Sequence, residues 1–416
     1  MQKPPSHSAS KLDQHWAGPA WALPALLALL SMLGPFSIDT YIPAFSAIAH
    51  SLNADPVSMQ QTLSAYLLGF AIMNLFHGAL ADSFGRRPVV LWTIAVFALA
   101  SIGCALSQNV YQLILFRFVQ GLSAGGGMVV SRAVIRDLFE PAQAQKVMSQ
   151  VTIFFGVAPA IAPIAGGFIL GHGSWHGIFW FLTVLAVAIG LANWKLLPET
   201  LAPHAQQPFS PGHLLRGYKE LGLSPHFLLL CLASGIPFNG MFLYVLAAPE
   251  FLGTHLHLAP NQFFWFFLCT ISGIMSGAFV SGRLAGKIAP RRQIRHGFVV
   301  MLSVALVNLL LNVLWPAHVS WALFPIAIFS FGWSLMVPVV TLLVLDLVPE
   351  RRGMASSLQA AMGSAANGVV AGVLAPLVMH STILLAATSL GLLLVGLVAW
   401  LYILQHWPDT GREKVL

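Results

Sequence analysis

Charged side chains are scarce in this sequence. Asp, Glu, Lys and Arg make up 8% of its 416 residues, whereas an average soluble domain carries about 25%. Hydrophobic residues make up 57% of the chain. A soluble protein of this length would still need a polar surface around its core. The shortage of charge therefore excludes a water-soluble fold and indicates that much of the surface faces lipid.

Signatures of several other protein classes are also missing. The sequence contains no Gly-x-x-x-x-Gly-Lys-Ser/Thr loop to hold ATP phosphates and no His-Glu-x-x-His pair to bind zinc. Its three cysteines, Cys104, Cys231 and Cys269, stand alone in apolar segments, where buried thiols are commoner than disulfides or metal ligands. We therefore expect no metal and no cofactor, with an ion gradient as the energy source.

Apolar segments of about 20 residues, the length that crosses roughly 30 Å of hydrocarbon, occur twelve times. They predict an all-α integral membrane protein. The predicted spans are 22–45, 61–81, 88–107, 110–132, 148–170, 177–197, 224–247, 263–285, 297–315, 321–345, 354–379 and 382–405.

The positive residues cluster where a cytoplasmic surface is expected. The net charge of +7 comes from short basic groups between apolar runs, which do not form the basic stripe with interleaved aromatics typical of nucleic-acid binding. These groups lie in the two tails, at Lys3, Lys11, Arg412 and Lys414, and after the even-numbered spans, as at Arg86, Arg136, Arg292 and Arg352. By the positive-inside rule, both termini are predicted to be cytoplasmic.

The longest polar segment divides the spans into two groups of six. It covers residues 198–223 and contains four prolines. A degraded repeat supports the division, because the ten residues from Gly78 (GALADSFGRR) return from Gly282 as GRLAGKIAPR. We predict two pseudo-symmetric six-helix halves that provide alternating access. The predicted parts are a tail (1–21), a first bundle (22–197), a linker (198–223), a second bundle (224–405) and a second tail (406–416).

Three motifs resemble those of the major facilitator superfamily, in particular the twelve-span drug:proton antiporters of the Bcr/CflA branch (bicyclomycin and chloramphenicol resistance). Residues 78–88 resemble motif A, the Arg117-Phe-Val-Gln-Gly segment resembles motif B, and Asp39-Thr-Tyr-Ile-Pro resembles an element of the drug exporters' first span. The resemblance covers nearly the whole chain. It implies a monomeric exporter, not an enzyme, which moves small amphipathic drugs across the lipid bilayer in exchange for protons.

Asp39 and Arg117 are ionisable groups placed well inside apolar spans, where a charge is costly and usually functional. At 1.5 Å per residue, both lie roughly 10 Å below the outer surface. Burial favours the protonated form of such a carboxylate, and a nearby guanidinium favours its charged form. We predict that Asp39 is the proton-coupling carboxylate and that Arg117 tunes it or pairs with it in one state. A purely structural ion pair is the alternative, and Asp346 near the end of span 10 is a second group that could titrate.

The resemblance also implies a conformational latch formed by Gly78, Asp82, Gly85, Arg86 and Asp137. Asp82 would meet the positive end of the span 11 helix dipole, and Arg86 would pair with Asp137, which stabilises the outward-facing state. Alternatively, the charges serve only to orient the chain in the membrane.

Span 5 resembles the antiporter motif C. It contains Gly156, Pro159, Pro163, Gly166 and Gly167, although Ala162-Pro163 stands where Gly-Pro is usual. The resemblance implies a seal against proton leak between the halves. Gly and Pro also permit close packing and bending of helices, so ordinary packing stays an alternative.

The expected substrate pocket is apolar and aromatic with few polar anchors. A metabolite such as a sugar, nucleobase or amino acid is the alternative cargo, and a passive channel is not excluded. The candidate lining residues are Tyr41, Tyr66, Phe70, Asn74, Gln120, Phe155, Asn239, Phe242 and Trp265.

Overall fold

The computed structural model describes residues 21–259 and 262–411, and the described part is helical with no strand. The predicted tails, with Lys3, Lys11, Arg412 and Lys414, lie largely outside the described residues. Twelve described segments are long and apolar enough to cross a membrane, as predicted. We number them spans 1 to 12: Ala22–Ser51, Val57–Phe84, Arg86–Ala105, Val110–Leu138, Pro141–His172, His176–Leu196, Pro225–Leu246, Phe264–Leu284, Pro290–Leu314, Val319–Asp346, Pro349–Val378 and Thr382–His406.

Several helices begin or end beyond the predicted limits. Span 1 turns through a short 3-10 helix (Ile42–Ala44) and continues as a helix from Phe45 to Ser51, so its predicted end at 45 was wrong. Span 5 begins at Pro141 because proline suits the first helical turn, whereas an apolar window misses the polar residues that follow it. Span 4 breaks at Gly125 and resumes at Gly126.

The segment between the two groups of spans also contains a helix that the sequence analysis did not predict. This linker helix, Pro211–Gly222, begins after Ser210, whose hydroxyl accepts a hydrogen bond from the backbone N–H of His213. Side-chain capping of this kind satisfies a backbone donor that has no partner within the helix.

The two halves repeat the same packing. In the first half, span 2 packs on span 4 and span 3 on span 6; in the second half, span 8 packs on span 10 and span 9 on span 12. The halves meet along two seams, where span 2 packs on span 11 and span 5 on span 8. These seams correspond to each other under the same pseudo-symmetry.

Hydrogen bonds between the halves lie at one end of the bundle. We call it the closed end; it contains the end of span 2 and the beginning of span 11. The backbone N–H of Gly78 donates to the hydroxyl of Ser357 at 2.8 Å, and Ser356 donates to the carbonyl of Val129 at 3.0 Å. A methyl group on Gly78 would collide with the carbonyl of Gly353. We call the opposite end the open end, and no hydrogen bond among the described residues joins the halves there.

Candidate functional site

Arg117 is fully buried within the first half of the bundle. Its Nη1 donates to Oε1 of Gln120 at 2.7 Å. The amide nitrogen of Gln120 in turn donates to the hydroxyl of Ser101 on span 3, also at 2.7 Å. Residues three apart on a helix share a face, which explains why Gln120 reaches the guanidinium. Gln120, which the sequence analysis placed in the substrate pocket, therefore orients the arginine in this conformation.

Two buried tyrosines enclose the same guanidinium. Its central carbon lies 4.5 Å from the ring centre of Tyr41 and 4.3 Å from that of Tyr66. Stacking of this kind is favourable, and more so where water is excluded. The Tyr41 hydroxyl is hydrogen-bonded to Thr62 at 2.5 Å, and the Tyr66 hydroxyl to Ser37 at 2.7 Å. Aromatic rings thus hold the buried cation where a carboxylate partner would be usual.

Asp39 ends the first helix of span 1 and is half-buried. None of the ion pairs among the described residues includes it. It lies within electrostatic range of Tyr66, whose ring faces Arg117. Both members of the predicted pair therefore lie near Tyr66. The structural ion pair that the sequence left open is absent from this conformation of the described residues.

At the closed end, Asp82 contacts the beginning of the span 11 helix. Its carboxylate accepts hydrogen bonds from the backbone N–H groups of Gly353 at 3.1 Å and Met354 at 2.7 Å. It also pairs with Arg86 at 2.5 Å. All of these contacts are buried. A carboxylate at this position complements both the free N–H groups and the positive end of the helix dipole, and it joins the two halves.

Asp137 extends this cluster across the seam. It accepts from Arg86 at 3.2 Å and from Arg352, in the other half, at 2.8 Å. Thr200 also donates to it at 3.2 Å. The structure therefore brings Asp82, Arg86 and Asp137 together and adds Arg352, whose partner the sequence analysis did not identify.

Gly85 and Glu199 shape the turn between spans 2 and 3. Gly85 has φ +101°, a conformation that L side chains rarely adopt, and a Cβ there would also crowd the carboxylate of Glu199. The Glu199 oxygens accept from the backbone N–H groups of Arg86 at 3.0 Å and Arg87 at 3.1 Å. Glu199 therefore caps span 3 much as Asp82 caps span 11. The sequence analysis did not identify Glu199, because its backbone partners depend on how the chain folds back onto the turn.

The second seam is held by amides instead of charges. Gln145 of span 5 donates to the carbonyl of Ser281 and to Oε1 of Gln293, both at 2.9 Å. Gln293 donates to the Ser281 hydroxyl and to the carbonyl of Leu335, both at 2.8 Å. All three polar side chains are buried. Sequence reasoning missed this network, for which the only signal was a glutamine close to each span's predicted limit.

Two other ionisable residues lie near the closed end. Asp346 of span 10 pairs across the halves with Arg136 at 2.5 Å and is partly exposed. Arg132 lies one turn deeper than Arg136 and interacts electrostatically with the Cys231 thiol of span 7. Since the helix of span 4 continues to Leu138, Arg132 lies further inside the span than the predicted limit suggested.

The glycines of span 5 face two different neighbours. A Cβ at Gly156 would meet Ile274 of span 8, and one at Gly166 would collide with the carbonyl of Thr40, next to Asp39. Gly167 has no atom within 4 Å of the position of its missing Cβ. Pro159 and Pro163 lie within the helix. Span 5 therefore packs closely on both span 8 and span 1.

The predicted substrate residues fall into two groups. Phe70, Phe155 and Phe242 are partly exposed and Trp265 is 49% exposed, whereas Tyr41, Tyr66, Asn74, Gln120 and Asn239 are fully buried in this conformation. A groove of about 830 Å³ lies instead beside spans 2, 3 and 4 and is lined by residues such as Leu80, Trp92 and Val96. It contains none of the predicted residues, and its apolar lining suits lipid. No group of His, Cys, Asp or Glu that could hold a metal occurs in the described part of the chain.

Comparison with known proteins gives a consistent result. The family model of the Major Facilitator Superfamily matches residues 27–372. The chain is 29% identical to the bicyclomycin resistance protein homolog of Haemophilus influenzae, over 91% of this chain and 94% of that protein. It is 28% identical to multidrug resistance protein D of Escherichia coli, over 93% and 97% respectively. The solved structure of the proton:xylose symporter XylE is similar in fold, with a TM-score of 0.76 at 15% identity over 94% of this chain and 97% of that one.

Proposed function

The chain belongs to the Major Facilitator Superfamily, and we propose that it exports small amphipathic drugs or antibiotics by proton-coupled antiport. It is a multi-pass bacterial membrane transporter with relatives named as drug-resistance proteins. The observation that carries the proposal is the acidic side chain of Asp39. It lies half-buried within a membrane span, without an ion-pair partner among the described residues, and near Tyr66, whose ring faces the guanidinium of Arg117.

The arrangement around Asp39 suits a group that exchanges protons. A carboxylate in an apolar span is stable when protonated, and its charged form needs a cation or water nearby. In this conformation Asp39 and Arg117 are both near Tyr66 but do not form an ion pair. A second conformation would bring the charged carboxylate and the guanidinium together. Asp39 would then release its proton in one state and bind it in the other, while Gln120 keeps the arginine in place.

We further propose that the closed end faces the cytoplasm of the inner membrane. This end carries Arg86, Arg136, Arg292 and Arg352, as the positive-inside rule requires of a cytoplasmic surface. The conformation is then outward-facing, with Asp82 and Asp137 acting as the latch. Both termini would be cytoplasmic and the protein a monomer, with the proton gradient as its energy source and no cofactor.

The substrate site is proposed to include an aromatic cluster of spans 7 and 10. Phe238 stacks on Phe242, with ring centres 5.5 Å apart, and also contacts Trp333 at 4.9 Å. Flat apolar surfaces of this kind favour amphipathic molecules. Asn239, one residue further along the same helix, is fully buried and its carboxamide oxygen has no hydrogen-bond donor among the described residues.

The test is drug-induced proton movement in proteoliposomes. We would compare wild type, Asp39→Asn and a control, Asp55→Asn, across chloramphenicol-like, bicyclic and lipophilic cationic compounds. Asp55 is an exposed carboxylate that caps span 2 at the open end, where it accepts from the N–H groups of Val57 and Ser58. We expect proton movement with at least one compound in wild type and in the control, and none in Asp39→Asn.

Two results would contradict the proposal. Coupled proton movement that persists in Asp39→Asn would make Asp39 a structural residue. No coupled movement with any drug, from folded protein, would favour the alternative of a proton-coupled metabolite transporter. In that case sugars, nucleobases and amino acids are the next compounds to test.

A further inference from the structure

The linker helix (Pro211–Gly222) lies beside the seam between spans 2 and 11. The hydroxyl of Tyr218 donates to the carbonyl of Leu75 in span 2. Leu75 lies nine residues before the end of that span at Phe84, which is about 13 Å at 1.5 Å per residue. The linker helix therefore lies alongside the last turns of span 2.

The same face of the linker helix contacts the beginning of span 11. Gly217 is buried against the thioether of Met354, so that a Cβ there would meet its sulfur at 2.7 Å. Glu220 pairs with Arg351 at 2.8 Å. The helix is therefore attached to both halves, immediately beside Asp82 and its partners on span 11.

The opposite face is exposed and has an unusual composition. Leu215 is 71% exposed and Leu223 is 67% exposed. Arg216 and Lys219 are exposed on the same side. Leucines interleaved with cations on one face of a short helix are typical of helices that lie in the membrane interface, with apolar side chains among the acyl chains and cations at the headgroups.

The apolar surface continues onto the membrane-spanning part of the protein. Phe209, just before the linker helix, contacts Phe84 at the end of span 2, with ring centres 5.2 Å apart, and both rings are about half exposed. The exposed face of the linker helix is therefore continuous with the lipid-facing surface of span 2.

We propose that the exposed face of the linker helix binds anionic phospholipid headgroups of the adjacent leaflet. Leu215 and Leu223 enter the acyl region, and Arg216 and Lys219 bind the lipid phosphates. Each cation near an anionic surface favours binding to anionic over neutral lipid roughly fivefold. The two cations together should therefore favour anionic lipid on the order of tenfold to thirtyfold. The proposal depends neither on the substrate nor on proton coupling.

The test uses a fluorescent probe at the position of Leu215. Full-length Leu215→Cys protein, with the partly exposed Cys269 changed to Ala, is labelled with bimane and placed in nanodiscs; Cys104 and Cys231 are buried. The nanodiscs contain phosphatidylcholine with a minor fraction of brominated phosphatidylglycerol, or an equal fraction of brominated phosphatidylcholine. We expect the brominated anionic lipid to quench the probe several times more strongly.

Charge variants then assign the preference to the linker helix. Arg216→Gln with Lys219→Gln should make the two lipids equal quenchers. The matched control, Lys287→Gln with Arg292→Gln, removes two exposed cations at the same end of the other half and should keep the preference. Native mass spectrometry of unlabelled protein should retain phosphatidylglycerol in wild type and control, but not in the linker variant.

Three outcomes would overturn the proposal. No quenching by either lipid would place the face in water or against a protein partner. Equal quenching of the wild-type probe by the anionic and the neutral lipid would mean that the linker helix makes only a nonspecific apolar contact with lipid. An equal loss of preference in the linker variant and the control would assign the effect to overall charge.

Discussion

Asp82→Asn tests whether the contact with span 11 holds the closed end together. The substitution keeps the size of the side chain but removes its charge and one of its two acceptor oxygens. At present those oxygens accept from the N–H groups of Gly353 and Met354 and from Arg86. The amide can satisfy only part of this set, and it does not complement the dipole of the span 11 helix.

The expected cost follows from these contacts. A buried donor left without an acceptor costs about 1–3 kcal/mol. Loss of a carboxylate from a helix amino terminus adds about 0.3–2 kcal/mol. Arg86 keeps its second partner, Asp137, which limits the loss. Together the changes should destabilise the closed end by about 2–4 kcal/mol, a shift of roughly 30-fold to 800-fold in the ratio of closed to open molecules.

The assay is a distance distribution between spin labels on the two halves, one at each side of the closed end. Asp82→Asn should convert a mainly short distance into a mainly long one. Asp55→Asn is the matched control, because the same change is made at a helix amino terminus that is exposed and does not contact the other half. An unchanged distribution in Asp82→Asn, from folded protein, would refute the role of this contact in closing the bundle.

Three further predictions concern the two seams and the linker helix. Gln145→Leu leaves its buried partners on spans 8 and 9 without a donor. The closed conformation should therefore be destabilised by about 1–3 kcal/mol. The same distance measurement should show this effect equally at every pH, because an amide does not titrate. Gly78→Ala should prevent full closure, whereas Gly235→Ala, which meets no atom within 4 Å, should not. Burial raises the pKa of Tyr218 above its ordinary value of 10.0. The stabilisation of the fold by the neutral Tyr218 hydroxyl is therefore complete below pH 10 and is lost as the pH rises further. Tyr218→Phe should lower the free energy of unfolding by about 1 kcal/mol and remove that alkaline loss.

Most of the fold could be predicted because the membrane imposes it. A span must be apolar over a fixed length and must satisfy its own backbone hydrogen bonds, so hydropathy located all twelve spans. The same criterion misplaced their ends. It could not detect the turn after Asp39, where the chain remains apolar, or the polar first turns of span 5. The linker helix was missed because an amphipathic helix of twelve residues has no apolar window.

The candidate site was only partly predictable. A charged residue inside an apolar span is easily recognised in a sequence, so Asp39 and Arg117 were predicted. The motifs indicated Asp82, Arg86 and Asp137. Side-chain partners across the halves depend on how the helices of one half are aligned along those of the other, which a single sequence does not reveal. For that reason Arg352, Glu199 and the glutamine network were missed. The enclosure of Arg117 by two tyrosines could not be predicted either, since it replaces the ion pair that simple electrostatics favours.

The two seams of the closed end differ in chemistry, and this difference has a mechanical consequence. The seam of spans 2 and 11 contains Asp82 and its charged partners, whose attraction is lost when a carboxylate is neutralised. The seam of spans 5 and 8 is held by Gln145 and Gln293, whose amide groups do not titrate. Loss of charge at the closed end should therefore loosen the seam of spans 2 and 11 first, while the glutamine seam stays closed. The two seams would then separate unequally, and the linker helix, which contacts both halves beside the first seam, would be strained as that seam opens.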